Sequence, residues 1–143
     1  MSALVSPPGP AAPSRVGPRG AAALDVVLVV LFAAIGRASH AEENPILGAL
    51  GTAWPFLVGA AAGWGLVRWR SGGWPLRVGS GIPVWAGALV IGMTLRVLTG
   101  DGTAPSFVLV AGIVLAVFVL GWRALAQRIG RRRSPRQAGG HSG

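Results

Sequence analysis

The chain is 143 residues long, with 13 basic and 4 acidic residues, a formal net charge of +9 and no cysteine. Only 12% of residues are charged, about half the usual quarter of a soluble domain, while 52% are hydrophobic. One domain fits this length, and the composition excludes a soluble enzyme and a disulfide scaffold, pointing instead to a small integral membrane protein.

All 13 basic residues are arginine, and Ala, Gly, Pro and Arg supply 70 of the 143 residues. These residues share GC-rich codons, which points to a GC-rich bacterial genome. A pI near 12.0 in a soluble protein would indicate a polyanion partner. Here codon usage and membrane topology account for the arginines, and no nucleic-acid partner is expected.

Residues 1–20 are rich in Pro, Gly and Ala and carry too little apolar surface to order themselves, so they read as a disordered tail. Four apolar runs follow, at 21–36, 46–67, 82–98 and 104–122. A bilayer core of about 30 Å needs about 20 helical residues. The second and fourth runs fit. The first and third reach full length if Arg37 and Arg96 belong to the helices and snorkel to the interface. The predicted spans are therefore 21–40, 46–67, 80–98 and 104–122, within a membrane domain of 21–123. Backbone groups in lipid must satisfy one another, so helices are expected. The alternation of an outer-membrane strand is absent, since residues 26–32 are apolar throughout. Residues 124–143 read as an Arg- and Gly-rich tail. The fold class is all-α integral membrane: an antiparallel four-transmembrane-helix bundle with disordered tails.

The first span carries Asp25 near its start. It is placed to pair with Arg123, just beyond Trp122 at the end of the fourth span; alternatively it caps a helix N-terminus, where the dipole favours negative charge. At the far end stand Arg37 and His40, with Glu42 and Glu43 following. They form an anion-binding, titratable site in one reading, and an interfacial anchor beside a solvated His in the other. A cleaved signal peptide competes for this span, with Ser39, His40 and Ala41 as a cleavage site. Asp25 and the long Pro-rich leader count against it.

The second span holds Thr52, Trp54 and Pro55. Pro55 frees the Gly51 carbonyl and predicts a kink, with Trp54 in an aromatic belt. Gly59 and Gly63 form a GxxxG, and Ala88/Gly92 and Gly112/Ala116 are small-xxx-small pairs, which let helices approach closely within the bundle or between copies. In the third span Trp85, Gly92 and Arg96 share a face. Arg96 is expected to point inward, with Asp101, Glu42, Glu43 or the Gly51 carbonyl as partner. The candidate outer polar cluster is thus Arg37, His40, Thr52, Trp54, Arg96 and Asp101.

Eleven arginines fall in the N-terminal, middle and C-terminal segments against two, Arg37 and Arg96, on the other side. The positive-inside rule places both termini in the cytoplasm. No cysteine, no second His near the membrane, no acidic cluster and no nucleophile elbow are present, so no metal, cofactor or catalytic activity is expected.

Taken together, Asp25, the Phe32-Ala33-Ala34-Ile35-Gly36-Arg37 run with His40, Thr52-Ala53-Trp54-Pro55-Phe56, Gly79, Val84-Trp85, Gly92-Met93, Leu95-Arg96, Ser106-Phe107 and Gly121-Trp122-Arg123 carry a resemblance. Over residues 24–123 the chain resembles the family of small, mostly actinobacterial membrane proteins called "domain of unknown function 3054". The resemblance implies a multi-pass membrane protein and supplies no activity, cofactor or catalytic residue. The functional expectation is a structural or partner subunit in the bacterial cell membrane, touching lipid and another membrane protein or a second copy. The alternative is a small-molecule transporter or sensor with an outer-leaflet polar pocket.

Overall fold

The computed structural model describes residues 16–38 and 44–132. Among these residues there are four helices and no strand: α1 (Pro18–Arg37), α2 (Pro45–Ser71), α3 (Val78–Leu98) and α4 (Pro105–Arg132). All four are long and apolar enough to cross a membrane. Three open on proline, at Pro18, Pro45 and Pro105. A first-turn proline loses no helical hydrogen bond, and its fixed φ suits the helix start. Asn44 caps α2, its side-chain oxygen accepting from the Leu47 N–H at 3.4 Å. Gly72 ends α2 at φ 64, with its N–H donating to the Arg68 carbonyl at 3.0 Å; that left-handed conformation favours glycine.

Helix bounds differ from the apolar runs at both ends of the chain. α1 begins at Pro18, inside the stretch expected to be a tail, and α4 continues past Trp122 to Arg132. Arg, Ala, Leu and Gln, which supply eight of the ten residues in the extension of α4, are among the better helix formers. Hydropathy marks where an apolar solvent would end, not where the helix does. α2 likewise runs through Arg68 and Arg70 to Ser71, and continues as one helix through Pro55. The rest of the expected tails, and His40, Glu42 and Glu43, lie outside the described residues.

The tightest packing joins α2 to α3. Gly59 lies against the Gly87 carbonyl and the Ala88 Cα, and Gly63 against the Pro83 carbonyl and the Val84 Cα. A Cβ at either glycine would overlap backbone. Where neighbours are as apolar as lipid, such close backbone approach is a main source of helix association. α1 packs on α2 and α4 on α3, whereas α1 approaches α4 only slightly. The backbones of α1 and α3 lie diagonally and do not approach each other.

A wholly apolar core fills the middle, including Val29, Phe56, Val84, Ala88, Ala111, Leu115 and Val119. Phe32, Phe56 and Phe107 close one end of it, with ring centroids 5.2 to 6.5 Å apart. Beyond these rings lies the Arg96 end of the bundle. The opposite end gathers Asp25, Trp64, Gly81 and Arg123, and is called here the Asp25 end.

Candidate functional site

Asp25 and Arg123 meet at the core of the Asp25 end. Arg123 Nη1 donates to Asp25 Oδ1 at 2.8 Å and Nη2 to Oδ2 at 2.7 Å. This is the fork-on-fork geometry that makes Arg–carboxylate pairs strong and specific. Asp25 is 2% exposed and Arg123 0%. Two indoles complete the carboxylate: Trp64 Nε1 donates to Oδ2 and Trp122 Nε1 to Oδ1, each at 2.9 Å. Each oxygen thus accepts two bonds, which uses the full acceptor capacity of an ionised carboxylate.

The guanidinium is nearly as well occupied. Nε donates to the Pro75 carbonyl at 2.8 Å, and Nη1 donates a second bond to the Val119 carbonyl at 2.6 Å, one turn back along α4. Its Cζ lies 4.5 Å from the centroid of the Trp122 ring, within reach of a cation–π contact. Room for the side chain comes from Gly81 on α3, where a Cβ would stand 2.7 Å from Arg123 Cδ. One node therefore ties α1, α2, the α2–α3 loop, α3 and α4. Burying two charges costs several kcal/mol per ion, and only saturated hydrogen bonding of this kind offsets it.

Asp25 does not cap a helix end. α1 starts at Pro18, so Asp25 lies about two turns inside, where the terminal dipole has faded. It occupies the buried stripe Ala21, Asp25, Val29, Phe32 and Ala33, at helical spacing. That stripe aims the carboxylate inward.

The outer cluster is divided. Arg37 Nη1 donates to Thr52 Oγ1 on α2 at 3.3 Å, and its guanidinium lies against Gly48. Arg96 faces α4 instead. Its Cζ stands 5.0 Å from the Phe107 ring centroid, Nη1 is 3.9 Å from Asp101 Oδ2, and Nη2 donates to the Asp101 carbonyl at 3.5 Å. The Arg96 side chain is 13% exposed and Asp101 47%. Arg96 Nε is buried without a hydrogen-bond partner. The helices bearing the two arginines are diagonal, so Arg37 and Arg96 close on different neighbours rather than on each other. Trp54 points outward at 41% exposure.

The small residues are used inside the chain. Gly59 and Gly63 meet α3, and Gly92 lies against Phe56, where a Cβ would stand 2.7 Å from the ring. Gly112 accepts the Trp85 Nε1 donor on its carbonyl at 2.9 Å. Ala88 is fully buried and Ala116 partly so.

Sequence reasoning missed Trp64, Pro75, Gly81 and Gly87. The available signal for Trp64 was chemical: a buried carboxylate needs more donors than one arginine supplies, and indole N–H groups are donors without charge. Among the described residues no group of three His, Cys, Asp or Glu side chains is placed to hold a metal.

No curated protein and no solved structure matches the chain significantly. Residues 22–126 match a family model that begins three residues before Asp25 and ends three after Arg123, and so takes in the whole node. The chain belongs to the family described as "Protein of unknown function (DUF3054)".

Proposed function

We propose that the protein is a structural or partner subunit of a membrane assembly: an antiparallel four-helix bundle that crosses the cell membrane with both termini in the cytoplasm. The observation that carries this reading is the continuous apolar core between the two polar ends. A transporter needs a polar path or a cavity at mid-depth. Here Val29, Phe56, Val84 and Leu115 fill that level, and the two buried charges of the Asp25 end, Asp25 and Arg123, are consumed by each other. Outward-facing Gly65 and Gly121 meet nothing within 4 Å and offer close approach to a neighbouring helix.

The test is site-specific photocrosslinking in native membranes. A crosslinker at Gly65 or Gly121 should trap one discrete protein adduct, while the same group at the buried Ala88 should trap none. Adducts to lipid alone at both outward positions refute the reading. Orientation is tested with a reporter active only outside the cytoplasm: fusion at the C-terminus should be silent and fusion at Asp101 active.

A second reading has one observation in its favour. The unpartnered Nε of Arg96 leaves a buried donor free for a small anion at the Arg96 end. A bound small anion in native mass spectra, lost in Arg96→Ala, would favour a sensor or transporter.

A further inference from the structure

An open groove runs along the flank of the bundle between α1 and α2. Two adjoining hollows form it, of about 630 and 330 Å³, and both are walled by Ala22 and Trp64. Arg19 and Trp74 flank the hollow nearer the helix end, while Val26, Leu57 and Ala61 line the deeper one. Asp25 borders the deeper hollow, but both of its oxygens are already occupied. The rest of that wall is apolar. A second cation stands at the same end as Arg19, for the Arg68 guanidinium lies 4.8 Å from the Trp74 ring centroid. Both arginines are exposed, and neither forms a salt bridge among the described residues.

The dimensions fit one class of ligand. Arg19 to Val26 is a rise of roughly 10 Å along α1 and Leu57 to Trp64 the same along α2, with Arg68 one turn beyond that lining. Half of a hydrocarbon core of about 30 Å is the depth of one leaflet. The lined part of the groove therefore covers about two-thirds of one leaflet, open to the side and apolar along its length, with cations at its interfacial end.

We propose that it holds one anionic phospholipid, with the phosphate between Arg19 and Arg68 and an acyl chain along Ala22, Ala61 and Leu57. Charge complementarity selects the anionic headgroup, and the sideways opening selects a lipid over a soluble phosphate. The proposal rests on the membrane placement argued above but not on the subunit role.

Native mass spectrometry of the full chain in detergent tests it, using phosphatidylglycerol and phosphatidylcholine with identical acyl chains. One phosphatidylglycerol should be retained at activation energies that strip phosphatidylcholine, with a preference of about fivefold per arginine. Arg19→Gln with Arg68→Gln should erase the preference. A chain of net charge +9 attracts anionic lipid diffusely, so Ala61→Phe supplies the control. It keeps every charge, fills the groove from an exposed position, and should abolish the retained lipid while the loosely held ones stay.

Equal retention of the two lipids, or an unchanged spectrum for Ala61→Phe, overturns the site. So does a marked rise in lipid occupancy on deleting residues 1–15, which would make that segment the natural occupant. Inorganic phosphate that displaces the lipid shows a soluble anion site instead. Alkaline washing of vesicles separates the two levels of the argument. A chain that washes off refutes the membrane placement, and a chain that stays but fails the lipid discrimination refutes the groove alone.

Discussion

Replacing Asp25 with Asn alters one atom of the node at almost constant volume. The carboxylate accepts four bonds, two on each oxygen. An amide keeps one accepting oxygen and sets its NH2 against two N–H donors. Two charge-assisted bonds of about 1.5–3 kcal/mol each are lost, and Arg123 keeps its charge with no counter-ion at 0% exposure. Breaking a buried pair by removing one partner costs about 3–5 kcal/mol. Both routes give a loss of about 4 kcal/mol. A double-mutant cycle of Asp25→Val and Arg123→Met isolates the pair. Each single variant strands the other charge, whereas the double variant strands none, so it should be more stable than the sum of the two losses by at least about 2 kcal/mol. The assay is reversible unfolding in mixed micelles against the mole fraction of a denaturing detergent, followed by tryptophan fluorescence. Trp64 and Trp122 touch the carboxylate and report on it directly. An Asp25→Asn loss below about 1 kcal/mol, or additive losses in the cycle, would refute the assignment of the node as the bundle's principal polar tie.

The same titration checks three further expectations. Gly63→Ala pushes a Cβ to 2.5 Å from the Val84 Cα and should cost about 1–3 kcal/mol, while Gly65→Ala, with nothing within 4 Å, should be neutral or stabilise by up to about 1 kcal/mol. Gly81→Ala collides with an Arg123 side chain pinned by its bonds, so it should cost about 1–3 kcal/mol and also shrink the coupling measured in the Asp25/Arg123 cycle. Arg96→Ala should cost about 1–2 kcal/mol, the sum of a half-exposed ion pair and a cation–π contact, and Arg37→Ala less than about 1 kcal/mol. An Arg96→Ala loss below about 0.5 kcal/mol would show that neither the ion pair nor the Phe107 contact contributes.

Much of the architecture is legible before any coordinates, because an apolar run of about 20 residues has few other uses. Depth is legible for the same reason: Asp25 and Arg123 both stand within about one turn of the same-side ends of their apolar runs. Rotation about each helix axis is harder to read. α2 and α3 are apolar on nearly all sides, so periodicity does not say that Trp64 turns toward Asp25 or that Gly81 faces Arg123. Gly87 has no small residue four positions away on its own helix, and its counterpart, Gly59, lies on another. Arg37 and Arg96 share an end of the bundle, and a single outer pocket requires them to face each other across it. Diagonal placement of α1 and α3 defeats it, and connectivity along the chain does not encode which helices are diagonal. The Pro75 carbonyl was hidden more deeply, since every residue offers a carbonyl and only loop geometry decides which one turns inward.

The span of 98 residues between Asp25 and Arg123 has a consequence for biosynthesis. At roughly 5–20 residues per second, the arginine is made about 5–20 s after the aspartate. Throughout that interval α1 carries a carboxylate without its counter-charge; on the membrane placement proposed above, an acidic side chain within a span costs up to roughly 3 kcal/mol. The first helix is therefore held provisionally until the last one arrives. A chain cut short before α4 keeps in α1 an acid whose arginine partner is missing. Closure of the node therefore waits on the last helix, whatever the order in which the first three pack.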